Sequence, residues 1–469
     1  MHARCKSKHL QPKRRNKLEI REKVLLKEHA ADISANIKGF LCSAQAERLG
    51  RQTGFIKRSS GKITAQGFLT TLMVADSPQG HISLPDLTAE LRQAHGIAIS
   101  KEALHQRFSV QAVNFLEKVI QQALEQHLGR EKEGLKTHFS RIKVKDSTKF
   151  KLPTDYNGAY RGYGNFSKTN GMISLQYEYD LVSGNWLSIK LTDGLRNDLA
   201  DAEQTISAIT TGDLHIRDLG YISPAYLKAV IQSEAFFLNR LPPQAGVYNL
   251  NGKSLNWNKV FRQAKGQQHL QQDVLVYDKE RIACRLIIEK VPDHEFKRRW
   301  INAQAKAKSK GIGISQEHKK KLHYNIYVTN VGADILPASE VRKTYYLRWQ
   351  IELVFKTWKS FFRINEVKRV KKERLECQLL GRLLWILINW SLFSRLNKHV
   401  SVRGQTVSML MFFKRSLKFA STLKTVLLKK LPIKSWLSNN YLPLIIDCVC
   451  HAPKNKQTHY HSLQFNTKS

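Results

Sequence analysis

Tyr345-Tyr-Leu-Arg348-Trp-Gln-Ile-Glu352-Leu-Val-Phe-Lys-Thr-Trp-Lys359 carries the strongest pattern in this 469-residue chain. At about 100° per residue, Tyr345, Arg348, Glu352 and Lys359 fall within roughly a 60° stripe on one face of a helix beginning near Ser339. Leu347, Ile351, Val354 and Trp358 lie largely on the opposite side, an apolar face suited to docking on a sheet. The stripe sets one carboxylate between cations and a phenol. Cations grip phosphates and a carboxylate offers hard oxygens to a metal ion, so the pattern suits a stretched polyanion beside a metal. A solvated helix face also pairs Glu with Lys, so further acids are needed to decide.

Two aspartates supply them. Arg141-Ile-Lys-Val-Lys-Asp146 alternates as a half-buried strand does and is expected to end on Asp146; Asp213-Leu-His-Ile-Arg-Asp218 ends on Asp218. If these strands are neighbours and the helix packs across them, Asp146, Asp218 and Glu352 form a site for two divalent ions. Such a pair activates the attacking oxygen and stabilises the leaving one in phosphodiester cleavage. Carboxylate and water ligands select Mg²⁺, with Mn²⁺ as substitute, over zinc. Asp180, Asp193, Asp198 and Asp201 are alternatives that combine a strand end with a matching context less well. His215 reads as a core or supporting residue. An isolated strand-end aspartate is more often a turn residue, and the combination carries the argument.

Composition agrees. Lys and Arg number 77 against 38 Asp and Glu, so the net charge is 77 − 38 = +39, which points to nucleic acid before an anionic membrane. The most apolar stretch, Leu379 to Phe393, contains Arg382 and Asn389 and is shorter than the roughly 20 residues a span needs, so it reads as a buried helix. A basic start without an apolar core gives no secretion signal. Six scattered cysteines fit a reducing cytosol, and a cytoplasmic site of action is expected.

Around the core, Ser83 to His95, Gly96 and Ser100 to Phe108 read as helix, turn and helix, with Lys101, His105, Gln106 and Arg107 available to DNA. The expected order is a helical DNA-binding region with a basic arm (1–135), a catalytic α/β core in two parts (136–240 and 322–375) around a β-rich insertion (241–321), and a basic helical region (376–469). Ala305 to Gly311 reads as an exposed loop, and Lys368 to Arg374 as a DNA-contact strip. Cys448-Val-Cys450-His451, with His459 and His461, invites a zinc reading, but one residue between cysteines strains a shared tetrahedral site.

At these motifs the chain resembles the insertion-sequence-four family of bacterial DDE transposases. The family signature Tyr-x2-Arg-x3-Glu-x6-Lys is matched by Tyr345, Arg348, Glu352 and Lys359, the first acid by Asp146-Ser-Thr148 and the second by Asp218-Leu-Gly-Tyr221. The resemblance implies a ribonuclease-H-like core, metal binding by Asp146, Asp218 and Glu352, and phosphate contacts from Tyr345, Arg348 and Lys359. It further implies a homodimer that cuts an element free at its terminal inverted repeats and joins it to target double-stranded DNA. Trp257 or Trp300 in the insertion would stabilise a flipped base. A stand-alone nuclease of the same fold and a DNA-binding regulator with a relic catalytic domain are the rival readings.

Overall fold

The structure is a computed structural model describing residues 43–58, 62–75, 83–128, 138–165, 168–401, 405–427, 436, 439 and 448–451. The expected basic arm, His459 and His461 lie outside the described residues. The chain forms two compact units: one comprises residues 1–129 and 355–456, the other 130–354 and 457–469.

The first unit is helical. Its N-terminal part holds α1 (Ser43–Gln52), α2 (Ala65–Ala75), α3 (Leu84–His95), α4 (Lys101–Arg107) and α5 (Val110–Leu128). Ser83 and Asp86 form a reciprocal capping box at the start of α3, Gly96 ends it at φ 68°, and Ser100 caps α4. The expected helix-turn-helix is present locally. Lys101, His105 and Gln106 are exposed, whereas Arg107 donates to the Phe55 carbonyl at 2.7 Å and lies over its ring, so that cation is committed to packing.

The sheet is the scaffold of the second unit. Its strands are β1 (Arg141–Lys151), β4 (Met172–Asp180), β5 (Trp186–Asp193), β6 (Asp213–Arg217), β7 (Phe236–Arg240), β8 (Val247–Tyr248), β9 (His269–Val276), β10 (Ile282–Lys290) and β11 (Tyr324–Thr329). The short β2 (Gly164–Asn165) and β3 (Lys168–Thr169) pair separately. The nine strands run in the order β5-β4-β1-β6-β7-β11-β10-β9-β8. β1, β6 and β7 are parallel neighbours, and β4 and β5 form an antiparallel hairpin whose turn has Gly184 at φ 73°. This antiparallel hairpin beside three parallel strands is a ribonuclease-H-like core.

One expectation changes here. β1 does not end at Asp146: its far half, to Lys151, pairs with β4, while the parallel partner β6 stops at Arg217. The insertion strands β8, β9 and β10 extend the central sheet. Their Val247, Val274 and Leu286 join Tyr226 and Val230 of α7 (Pro224–Gln232), Phe237 of β7 and Val328 of β11 in one apolar core. α6 (Asp198–Gln204) precedes β6, and α8 (Trp257–Ala264) packs within the insertion.

The predicted loop at 305–311 is instead the end of α9 (Asp293–Lys310), which stops at Gly311 with φ 61° and is followed by α10 (Gln316–Lys321). None of the 18 residues of α9 is buried. A run of Ala and Lys has high helix propensity, and that prevails where sequence pattern suggested only exposure.

The helix expected from Ser339 onward is two. α11 (Ala338–Tyr346) and α12 (Trp349–Phe361) meet at Leu347 and Arg348. There the backbone bonds tighten to an i to i−3 pattern: Leu347 to Thr344, Arg348 to Tyr345, Gln350 to Leu347 and Ile351 to Arg348. Leu347, Ile351, Val354 and Trp358 are buried, as the apolar face required.

In the helical unit, α13 (Lys372–Ser401) runs through the apolar stretch Leu379–Phe393. It is long and apolar enough to cross a membrane, but its apolar window is almost wholly buried inside the protein. Arg382 donates to the carbonyls of Arg363 and Glu366, and Asn389 to that of Trp385. A Cβ at Gly381 would meet the Leu72 carbonyl oxygen at 3.0 Å, so glycine lets α13 approach α2 closely. α14 (Met409–Ser416) and α15 (Ala420–Leu427) follow. β12 (Gln405–Val407) pairs with β13 (Val449–His451), and Cys448 is buried. The Cys-x-Cys segment thus leads into a strand, and the two histidines that a zinc reading would add lie outside the described residues.

Candidate active site

Lys145 on β1 is registered against Arg217 on β6. Asp146 and Asp218 each lie one residue further, so the parallel pairing brings the two acids side by side. Side chains alternate along a strand, so Lys145 and Arg217 face away from their acidic neighbours. Asp218 ends its strand by entering a 3-10 turn, Leu219–Tyr221, which keeps its side chain half-exposed.

The first turn of α12 supplies the third acid, Glu352, and from the helix joint Arg348 reaches Asp146 Oδ2 at 2.9 Å, Glu352 Oε1 at 3.0 Å and Asp218 Oδ1 at 4.0 Å. The acids predicted from three distant parts of the chain thus surround a single guanidinium. Burial pushes the Asp146 carboxyl up to about 6, with Asp218 and Glu352 adding to the rise and the Ser147 N–H and Arg348 opposing it.

Of the phosphate-contact candidates, Arg348 sits among the acids. Tyr345 is 8% exposed, its ring 5.3 Å from that of Tyr327, and burial pushes its phenol up to about 12, so it stays neutral. Lys359 is partly buried on α12, seven residues after Glu352, and burial lowers its pKa.

The alternative aspartates are accounted for. Asp180 accepts from the N–H groups of Ile142, Val182 and Ser183 and closes the β4–β5 hairpin. Asp193 pairs with Arg161, and Asp201 with Lys145. Asp198 accepts from Ser147 and Gln176, close behind the acids. His215 is buried against the Tyr226 hydroxyl, 2.8 Å from Nδ1, a core residue as expected.

Sequence reasoning missed two features. One is a buried ionic layer behind the acids: Arg217 with Glu178 at 2.9 Å, Lys143 and Arg141 with Asp213 at 3.3 and 2.7 Å, and Lys145 with Asp201. The alternation of β1 and β6 contained the signal, since Lys143, Lys145, His215 and Arg217 share one side of the sheet. The other is the stacked pair Tyr346–Trp349, with centroids 5.9 Å apart and planes 6° from parallel, half-exposed beside Arg348. Trp257 and Trp300, the expected flipped-base candidates, carry Lys321 and Lys319 over their rings, at 4.5 and 4.8 Å. In the Lys368–Arg374 strip, Lys371 donates to the Phe108 carbonyl and Arg374 is buried, so part of that charge is structural.

Comparison with known proteins agrees with this geometry. A family model described as "Transposase DDE domain" matches residues 137–388, which include all three acids. The chain belongs to the DDE transposase family. The transposase for insertion sequence element IS231B of Bacillus thuringiensis subsp. berliner is 31% identical over 372 residues, covering 75% of this chain and 77% of that one. The IS231F transposase of Bacillus thuringiensis subsp. israelensis is 31% identical, covering 73% and 76%. That for IS1151 of Clostridium perfringens is 28% identical, covering 76% and 79%. The resemblance read from the signature residues is borne out: this is an insertion-sequence transposase, an enzyme that cuts and joins DNA. Family membership carries divalent-metal dependence with it.

Proposed function

We propose that Asp146, Asp218 and Glu352 bind two Mg²⁺ ions, for which Mn²⁺ substitutes, and that the transposase uses them to release an insertion sequence at its terminal inverted repeats and join it to target DNA. The observation that carries this reading is the convergence of three carboxylates on one guanidinium, at 2.9, 3.0 and 4.0 Å. Three hard-oxygen donors gathered round a positive charge fit a divalent-metal site. Bound metal would supply an activated attacking oxygen and a stabilised leaving oxygen.

The remaining work belongs to side chains. Arg348, released from the acids, turns its planar guanidinium to a phosphate at the cut. Lys359 adds a cation along the strand, and Tyr345, protonated at any working pH, donates a hydrogen bond. Tyr346 and Trp349 present an aromatic face to an unstacked base at the break. Lys101, His105 and Gln106 meet the element's end in a groove. The working form is a homodimer, acting in the bacterial cytoplasm.

Purified protein with Mg²⁺ should cut and join oligonucleotides that carry the element's ends. Asp146→Asn, Asp218→Asn and Glu352→Gln should each abolish cleavage while end binding persists. Near-normal cleavage by any one of them would remove that residue from the metal site.

A further inference from the structure

The two acid-bearing motifs contain residues with no part in metal binding: Ser147 after the first acid, and Gly220 and Tyr221 after the second. All three converge on one carboxylate. Ser147 Oγ donates to Asp198 Oδ1 at 3.2 Å. The Tyr221 hydroxyl donates to Gln176 Oε1 at 2.6 Å, and Gln176 Nε2 donates onward to the same Asp198 oxygen at 3.1 Å. A Cβ built at Gly220 would lie 3.2 Å from Asp198 Oδ2, so the missing side chain is what lets the second motif close on this carboxylate.

The helix that brings Asp198 also holds the other side of the first acid. Asp198 opens α6, capped by Asn197, and one turn later Asp201 pairs with Lys145. α6 therefore grips Lys145 and Ser147, the two neighbours of Asp146, and leaves Asp146 itself facing the site. Tyr221 and Gln176 are buried, so the chain of donors has no water to fall back on.

We infer that Asp198 is a positioning residue of the transposase, joining the first and second acid motifs so that Asp146 and Asp218 are held at the spacing a metal site needs. The inference rests on the assignment of those two acids to metal. Asp198 acts through Ser147, Gln176 and the backbone at Gly220, and its acceptor oxygen is what matters. An asparagine keeps that oxygen and both of its hydrogen bonds; an alanine keeps neither.

The test measures Mn²⁺ binding by the full chain, from the electron paramagnetic resonance of free Mn²⁺, alongside cleavage and end binding. Asp198→Ala should weaken Mn²⁺ binding by about tenfold or more, with a matching loss of cleavage rate and unchanged end binding. Asp198→Asn should restore most of both. Wild-type Mn²⁺ binding and cleavage in Asp198→Ala would overturn the inference, as would an Asp198→Asn variant as damaged as the alanine, which would mark a direct metal ligand. Should Asp198→Ala fail to fold, Gly220→Ala serves: it crowds the same carboxylate from the other side and should lose Mn²⁺ affinity, while wild-type affinity there counts against the idea. Asp146→Asn run in parallel separates the two levels. Mn²⁺ binding lost there but kept in Asp198→Ala sinks the positioning role alone; binding kept in Asp146→Asn sinks the acid assignment and this inference with it.

Discussion

The sheet unit and the helical unit bury their interiors in opposite ways. Behind the three clustered acids, Lys145, Arg217, Glu178, Asp201 and Asp213 are all inside the protein and paired. Along α13 the interior is Leu379, Leu383, Leu384, Ile386, Leu387 and Ile388, with a few polar groups among them, of which Arg382 and Asn389 donate to carbonyls. Apolar burial stabilises without fixing direction. Buried ion pairs return little net stability after desolvation, but they are directional, and losing one partner strands the other. The directional interior lies where two aspartates must be placed side by side.

The sharpest way to break this contrast is Glu178→Gln, which leaves Arg217 buried without its counter-charge. It should cost about 3–5 kcal/mol, read as a lowered unfolding midpoint. Ile386→Ala probes the apolar interior and should cost about 2–5 kcal/mol with Mn²⁺ binding intact. A comparable loss of Mn²⁺ binding there would mean that the contrast is wrong.

Acid should act on the contrast next, because Glu178 in the sheet unit and Glu117 in the helical unit shift in opposite directions. Burial alone would raise Glu178, but Arg217, Lys145 and Lys143 outweigh it and hold it at about 2. Its stabilisation is complete above the ordinary value of 4.5 and is lost as pH falls toward about 2. Glu117 in the helical unit is raised by burial and by Glu376, so its contribution is present at low pH and fades as pH rises through the raised value. Between about pH 4.5 and 2 the sheet unit should lose the Glu178 contribution, read by calorimetry as a fall in midpoint that Glu178→Gln lacks. Smallest of all, Lys359→Ala tests the proposed phosphate contact and touches no proposed metal ligand. It should weaken end binding by about 1 kcal/mol or less and flatten the salt dependence, with unchanged cutting at low salt counting against its role.

The contrast also explains what could be read from the sequence. The helical unit's caps at Ser83, Ser100 and Gly96 and its apolar run were legible because local chemistry determines them. So were the three acids as candidates, from their local motifs, although β1 runs on past the expected end at Asp146. The joint at Leu347 and Arg348 was not, because an unbroken helical period hides a tightening of the backbone. The ionic layer was hidden for another reason: Lys143 and Lys145 look solvated until β6 and α6 are known to cover them. Asp198 was visible only as a spare acid, since its partners Ser147, Gln176 and Gly220 are assembled by the sheet and not by the order of residues.

β1 carries a consequence for folding fidelity. Its charges are sorted by side, with Lys143 and Lys145 turned inward and its one acid, Asp146, turned toward Arg348. A slip of one residue against β4 or β6 would reverse every side chain. It would bring Asp146 into the covered layer, put a lysine among the acids and leave Asp201 and Asp213 without counter-charges. Such a misregistered sheet would be too costly to persist, so the same charges that hold the acids in place also proofread the pairing that puts them there.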